Sequence, residues 1–538
     1  MTVSVVATTI RPSRRRYELS RDVILAHDFG TTGNKAVLFD AEGNRLASHY
    51  SPYETTYPQA GWAEQKPDDW KHAFRQSTRS VLSSARVRPK QIAAVSFSGH
   101  MLGCVPVDAQ GNVLRKTVFL WADCRSQQQA EFINETIGWD TFYRTTGGGL
   151  ELALYPAAKI LWLKEHEPEV YAETYKFIGT KDLLVHWLTG SFATDYSDAS
   201  NTGLFDIRRR VWADELVRAL GLDMKKLPEE VLPSTKVVGQ VTPQAARETG
   251  LAEGIPVVMG GGDVPCAAVG AGVVKEGTIY NYIGSASWVA MATQRPIFDN
   301  KMRPFTLCHL VPDMYVSQLA TYSAGVVYGW FRDQICQLEA ARAEETNQIA
   351  FDLMDQEAAC SQPGARGLLF LPHLRPGGAP FHDLDARGAL FGLTLAHTRA
   401  DVIRAVLEGI TINIRLVCEA LERQAGSPFS QIRMVGGGAK SRLWRDIAAS
   451  VLNKEVLSLS AQQEANSLGA AIIACIGIGI FDQFDDAAQR FIRVEETTLP
   501  DKNAQVVYDA LFQLFQTAYK HASNVHGLLK RLSEPQRE

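Results

Sequence analysis

No Cys-x-x-Cys pair occurs in this chain. Its eight cysteines (Cys104, Cys124, Cys266, Cys308, Cys336, Cys360, Cys418 and Cys475) stand singly, which argues against a zinc ribbon or a disulfide framework and for reduced thiols in a cytoplasmic protein. An excess of one charge is missing too: 55 Lys and Arg against 59 Asp and Glu give a formal net charge of -4, so electrostatics offers no case for nucleic acid or an anionic membrane. Long apolar runs are scarce. The most apolar late segment, Ala470 to Ile480, is about half the ~20 residues a membrane span needs and reads as a buried helix. The first 22 residues carry Arg11, Arg14, Arg15 and Arg16 but lack the charge-first, apolar-second order of a secretory signal, so an N-terminal arm over 1–22 is expected. What remains is a globular composition, 46% hydrophobic and 21% charged, over 538 residues. That length suits two domains of roughly 250 residues and a small-molecule partner.

Chemistry first shows between Val23 and Asp40, VILAHDFGTTGNKAVLFD. An apolar strand ends at Asp28, turns through Gly30, Thr31, Thr32 and Gly33, and a second strand follows. The glycines let backbone N–H groups approach an anion, the threonines add hydroxyls, Lys35 adds positive charge, and Asp28 can hold a divalent cation through water. The same residues also suit an ordinary hairpin turn. The turn is not a Walker loop, because the Gly-Lys-Ser/Thr ending is absent, and not a dinucleotide fingerprint, because a strand rather than a helix follows it. Thr278 to Ala290, TIYNYIGSASWVA, repeats the design around Gly284 and Ser285, as an internally duplicated nucleotide clamp would.

Between the two hairpins lie several further candidates. Asp68 or Asp69 is expected to cap a helix running towards Leu82. His100, Met101 and Leu102 fall on a loop after a strand, with Trp121, Asp123 and Arg125 beyond, and read either as core or as a ligand-facing set. LALYPAAKILWLKEH predicts a helix starting near Pro156. The cluster Asp195, Ser197, Asp198 and Ser200 reads as a polar loop packed at an interface or against a substrate. IPVVMGGGDVPCAAVGAGVV presents Asp263 at a strand-to-helix junction, where it is either a helix cap or a catalytic carboxylate. Later, Gly325 is read as close approach to a nucleotide or as a tight helix contact. Val402, Ala405, Val406 and Ile410 are expected to face inward on a scaffold helix. Gly436-Gly437-Gly438-Ala439 precedes another helix and allows flat contact with a ring or a phosphate.

Taken in order, HDFGTTGNKAVLFD, YPAAKILWLKEH, GGGDVPCAAVGAGVV, GALFGL with ADVIRAVLEG, and GGGAKSRLW with ANSLGAA resemble the FGGY family of carbohydrate kinases, of the sugar kinase, actin and Hsp70 superfamily. GWAEQKPDDW, GHMLG, LWADCRS and TDYSDASNTGLFDI resemble its xylulokinase branch. The resemblance implies an α/β fold of two ribonuclease-H-like domains, 23–274 and 275–538, with a ligand cleft between them. It implies ATP and Mg2+, a sugar or polyol acceptor such as xylulose or a related ketose, and, by analogy alone, a homodimer. Ribulose, erythritol and autoinducer-2 are alternative acceptors, and a non-catalytic sugar sensor is the rival outside the enzymes. Position by position, Asp263 matches the general base and Asp28 the magnesium-associated carboxylate. Gly30, Thr31, Thr32, Lys35, Gly284, Ser285, Gly325, Gly438, Ala439 and Arg442 match nucleotide positions, and His100, Met101, Leu102 and Asp263 the sugar site. The chain departs from xylulokinases in three places: Leu102 replaces a histidine, Val264 an asparagine, and PGGAP (Pro376 to Pro380) a Gly-Glu-Arg-Thr-Pro stretch.

Overall fold

The computed structural model describes residues 23–426, 428–460 and 462–533, so the expected arm at 1–22 lies outside the described residues. Two seven-stranded mixed sheets organise the chain. In the first, Val23–Phe29 pairs antiparallel with Gly33–Asp40, which pairs antiparallel with Arg45–Pro52. On its other side Val23–Phe29 runs parallel to Ile92–Gly99, which runs parallel to Pro256–Val258. The second sheet repeats this plan. Ile279–Ile283, Ser287–Thr293 and Tyr315–Thr321 form the antiparallel meander, and Gln431–Val435 then Glu455–Leu459 add in parallel. The five strands named in each sheet share the spatial order 3-2-1-4-5, so the duplication extends from the hairpins to whole domains.

The central strands are buried on both faces, as sheets covered by helices require. On one face of the first sheet lies the helix Pro67–Ser84, whose Trp70, Ala73, Phe74, Ser77 and Val81 recur at helical spacing and are buried. Full burial of Trp70 and Phe74 contributes about 1.5–3 kcal/mol each. This helix starts on Pro67 after Lys66, with Asp68 and Asp69 in its first turn, so neither aspartate caps it as the sequence suggested. Proline at the first helical position sets the start instead. The scaffold helix spans Arg399–Ala425 and buries Ala405, Val406 and Ile410 as expected.

Two helices of small residues cross where the domains meet: Asp263–Gly270 and Ala465–Gly477. Ala465–Gly477 belongs to the second half of the chain yet also packs on Val23–Phe29 and Ile92–Gly99 of the first sheet. The crossing is backbone against backbone. A Cβ on Gly469 would lie 2.0 Å from the Cys266 carbonyl oxygen, and one on Gly270 would lie 1.8 Å from that of Ala465. The apolar run Ala470 to Cys475 is wholly buried here, and among the described residues no helix is long and apolar enough to cross a membrane.

Candidate active site

Strand register brings the two sequence-nominated carboxylates to one end of the first sheet. Asp28 pairs with Ser98, and Ser98 pairs with Gly261, two residues before Asp263. Two strand spacings, roughly 10 Å, therefore separate the backbone positions from which they project. Asp28 accepts a hydrogen bond from Asn466 Nδ2 of the second half at 3.2 Å. Desolvation raises its pKa, against hydrogen bonds from Asn466 and Ser98 and the charge of Lys35. Asp263 opens the helix Asp263–Gly270 after Gly262, and its Oδ1 accepts from the Val264 amide at 2.8 Å. Burial first, then the nearby charge of Asp28, raises its pKa to about 7. A carboxylate with that pKa, held by one amide hydrogen bond, is suited to taking a proton near neutral pH.

The first hairpin loop is held from several sides. Gly30 donates to the Gly33 carbonyl at 3.0 Å, Tyr53 to the Gly30 carbonyl at 2.5 Å, and Gln65 to the Thr31 carbonyl at 2.6 Å. Trp121 Nε1 donates to Thr31 Oγ1 at 3.0 Å and Tyr50 to Thr32 Oγ1 at 2.7 Å. Gly33 is required sterically, since a Cβ there would lie 2.6 Å from the Ser51 carbonyl oxygen. Lys35 lies on the same strand face as Asp28, but its ammonium is engaged by Glu464 at 3.0 Å and the Gln463 carbonyl at 3.2 Å. Arg45 shares Glu464 at 2.7 Å, so the lysine expected on phosphate belongs here to an ion triad joining the two halves of the chain.

The second hairpin turns through Gly284, Ser285 and Ala286, since Ile283 pairs with Ser287. Gly325 and Val326, opening the helix Gly325–Gln334, donate to the Gly284 and Ser285 carbonyls at 3.0 and 2.9 Å. Of the two readings of Gly325, the tight helix contact describes its position: a Cβ would sit 2.3 Å from the Gly284 carbonyl oxygen. Gly436 has φ +90 and, like Gly438, packs on Ile283, so the glycine turn lies directly beside this hairpin. The side chain of Ala439 is buried in the core, and Arg442 is exposed in the first turn of Arg442–Leu452.

The loop His100 to Leu102 has a more buried anatomy than the sequence conveyed. His100 stacks edge-on against Trp70, burial lowers its pKa to about 3, and its Nε2 has no partner. Met101 fills the space a side chain on Gly262 would occupy, next to Asp263. Leu102 adopts φ +61, an unfavourable conformation for leucine. Asn201 Oδ1 accepts from its amide at 3.0 Å, and Lys159 donates to its carbonyl at 2.9 Å. Lys159 also donates to the Leu120 carbonyl at 2.9 Å, tying this loop to the one bearing Trp121. It is completely buried, and desolvation lowers its pKa to about 8. The sequence reading missed Lys159 and Asn201; the signal was a lone cation within the apolar run PAAKILWL.

The Asp195 to Ser200 cluster, expected as a polar loop packed at an interface or against a substrate, is helical, and Ser200 Oγ accepts from the Cys308 amide of the second half at 3.2 Å. Asp195 caps a short buried helix, Tyr196–Ser200, and Lys181 bridges Asp182, Asp195 and Asp198 at 2.7, 3.2 and 3.1 Å. Asp198 in turn accepts from the Asn201 amide at 3.1 Å, so this network orients the group that holds Leu102.

A duplicated α/β pair with two hairpin loops and two carboxylates at the domain junction defines a sugar-kinase fold of the actin-like class. Residues 23–270 match the N-terminal domain of the FGGY family of carbohydrate kinases and residues 279–478 its C-terminal domain. The chain belongs to that family, and it is a sugar kinase. It is 31% identical to a xylulose kinase of Bacillus subtilis, covering 94% of this chain and 98% of that protein. A gluconokinase of the same organism is 29% identical over 92% of this chain and 96% of its own. The crystal structure of a xylulose kinase from Rhodospirillum rubrum superposes with a TM-score of 0.83 at 28% identity, covering 94% of this chain and 100% of that one.

Proposed function

We propose that the enzyme transfers the γ-phosphoryl group of MgATP to a hydroxyl of a ketopentose, xylulose or a related ketose, in the cytoplasm. The observation that supports this most directly is Asp263, a carboxylate with a pKa near 7 beside a glycine-walled strand end. In this reading Asp263 accepts the hydroxyl proton as the bond to phosphorus forms. The two hairpin loops, 30–33 and 284–286, supply backbone amides and hydroxyls to the triphosphate, and Arg442, Gly438 and Ala439 border the rest of the nucleotide. Domains 23–274 and 275–538 each bring one loop.

Among the described residues no group of three or more His, Cys, Asp or Glu forms a metal cage. Mg2+ keeps several waters and takes one or two carboxylates plus substrate phosphates. Asp28 would hold it through water. When bound, Mg2+ neutralises charge developing on the phosphoryl oxygens. The chain's own residues position, desolvate and move one proton.

Asp263→Asn tests the base. It should retain ATP binding and lose about 100- to 10,000-fold in turnover, measured by ADP release with a panel of ketoses, alditols and gluconate. Turnover near wild type would remove Asp263 from that role. A second reading of the acceptor is favoured by Leu102 and Val264, which take two hydrogen-bonding groups from the xylulose pattern. Ribulose, erythritol, autoinducer-2 and gluconate therefore belong in the same panel.

A further inference from the structure

The helix Lys502–Ser533 carries two apolar faces, and the fold uses one of them. Tyr508, Phe512, Phe515 and Tyr519 recur at helical spacing and are buried in the core of the second domain. Beside that face Val507, Leu514, Val525, Leu528 and Leu532 are 40–84% exposed. Single exposed leucines are ordinary on a protein surface. These five are not scattered. Together with Leu511, Ala518 and His521 they fill every step of an alternating four-and-three spacing from 507 to 532, the seam of a left-handed coiled coil. Leu529, also exposed, widens the stripe towards the buried face. Further round, the solvent side turns polar through Gln513, Gln516, Thr517, Lys520 and Asn524, with Val506 an apolar exception near the start. An apolar stripe of about seven turns, about 37 Å long, marks a surface built for contact.

The pattern itself selects the partner. Reversed against a copy of itself, the stripe meets its complement in every layer: Leu532 falls opposite the partner's Val507, Val525 opposite the partner's Leu514, and Leu528 opposite the partner's Leu511. In the remaining layer the small Ala518 falls opposite the larger His521 of the partner subunit, as interdigitated packing requires. The flanking row sets Arg531 beside the partner's Ala510 and Thr517 beside the partner's Asn524, so no like charges meet. A parallel pair would instead oppose arginine to arginine at 531, alanine to alanine at 518 and histidine to histidine at 521.

We propose that Lys502–Ser533 pairs antiparallel with the same helix of a second copy of this chain, forming an isologous dimer across the exposed seam. The pairing does not depend on the reaction proposed above. Light scattering on size-exclusion eluates of the full-length protein at micromolar concentration should read twice the chain mass. Leu528→Glu combined with Leu532→Glu places charge on residues already open to solvent, so the circular dichroism spectrum should hold while the dimer dissociation constant rises about a hundredfold. His521→Leu, which makes the seam wholly apolar, should tighten the dimer about tenfold.

Oxidative cross-linking reads the orientation. A Leu514→Cys variant mixed with a Val525→Cys variant should form a disulfide-linked pair that neither forms alone, because those positions face each other in the antiparallel arrangement. A monomer at micromolar concentration, a dimer indifferent to the double glutamate variant, or cross-links of Val525→Cys to itself in preference to Leu514→Cys would overturn the pairing. A monomer whose stripe takes up a hydrophobic dye only after residues 1–22 are removed would assign the seam to the chain's own N-terminal segment, and would overturn it as well.

Discussion

Asp263 gives the molecule a pH dependence whose sign follows from its raised pKa. Between the ordinary 3.8 and about 7, the folded chain holds a proton that the unfolded chain has released. Stability from this group is thus full below about pH 4, declines by about 1.4 kcal/mol per unit as pH rises to 7, and is flat above it. Asp263→Asn should therefore be more stable than wild type at pH 8 and nearly equal to it at pH 4, as urea titrations would show. Activity should run the other way: kcat/KM rises with an apparent pKa near 7, because only the ionised base accepts a proton. Lys159 makes a different kind of contribution. Lys159→Met would take the side-chain donor from the buried Leu102 carbonyl, the Leu120 carbonyl keeping the Asp123 amide, and release the Leu102 and Trp121 loops from each other. The expected result is a KM for the sugar raised about ten- to hundredfold with the KM for ATP little changed. Equal rises in both would assign the lysine to general stability.

At the level of elements, the crossing of Asp263–Gly270 with Ala465–Gly477 leaves no room for a side chain. Gly469→Val should cost about 1–3 kcal/mol, or more if the helices part, and lower the melting temperature by several degrees. A melting curve identical to wild type would show that the crossing yields. Much of this was legible in advance. Glycine with threonine or serine between apolar runs marked both hairpins, and three glycines before Asp263 marked its junction, because turn chemistry is local. Register was also within reach: a three-residue loop after Ile283 sets Tyr282 opposite Trp288. The Lys181 cluster was not legible, since Lys181 and its partners at 195 and 198 are joined only by tertiary packing. For the same reason the pairing of Lys35 with Glu464, 429 residues away, was not legible.

The whole molecule is two copies of one plan, and the polar links between them include Lys35 and Arg45 with Glu464, Asn466 with Asp28, Arg493 with Asn44, Arg210 with Asp313, Asn300 with Asp140 and Tyr280 with Val264. On the proposed reading, in which each copy brings one hairpin loop to a single triphosphate, binding should draw the domains together and exclude water from the transfer. Small-angle scattering should record a smaller radius of gyration with a sugar and a non-hydrolysable ATP analogue together than with neither. Unchanged dimensions would mean that the domains are already closed or do not move.

The indole of Trp121, 39% exposed and hydrogen-bonded to Thr31, places a natural fluorophore against the first loop. Anything that displaces the threonine hydroxyl changes the polarity at the ring, so the protein carries its own optical gauge of that loop. Its emission can follow loop rearrangement in real time, with no dye attached.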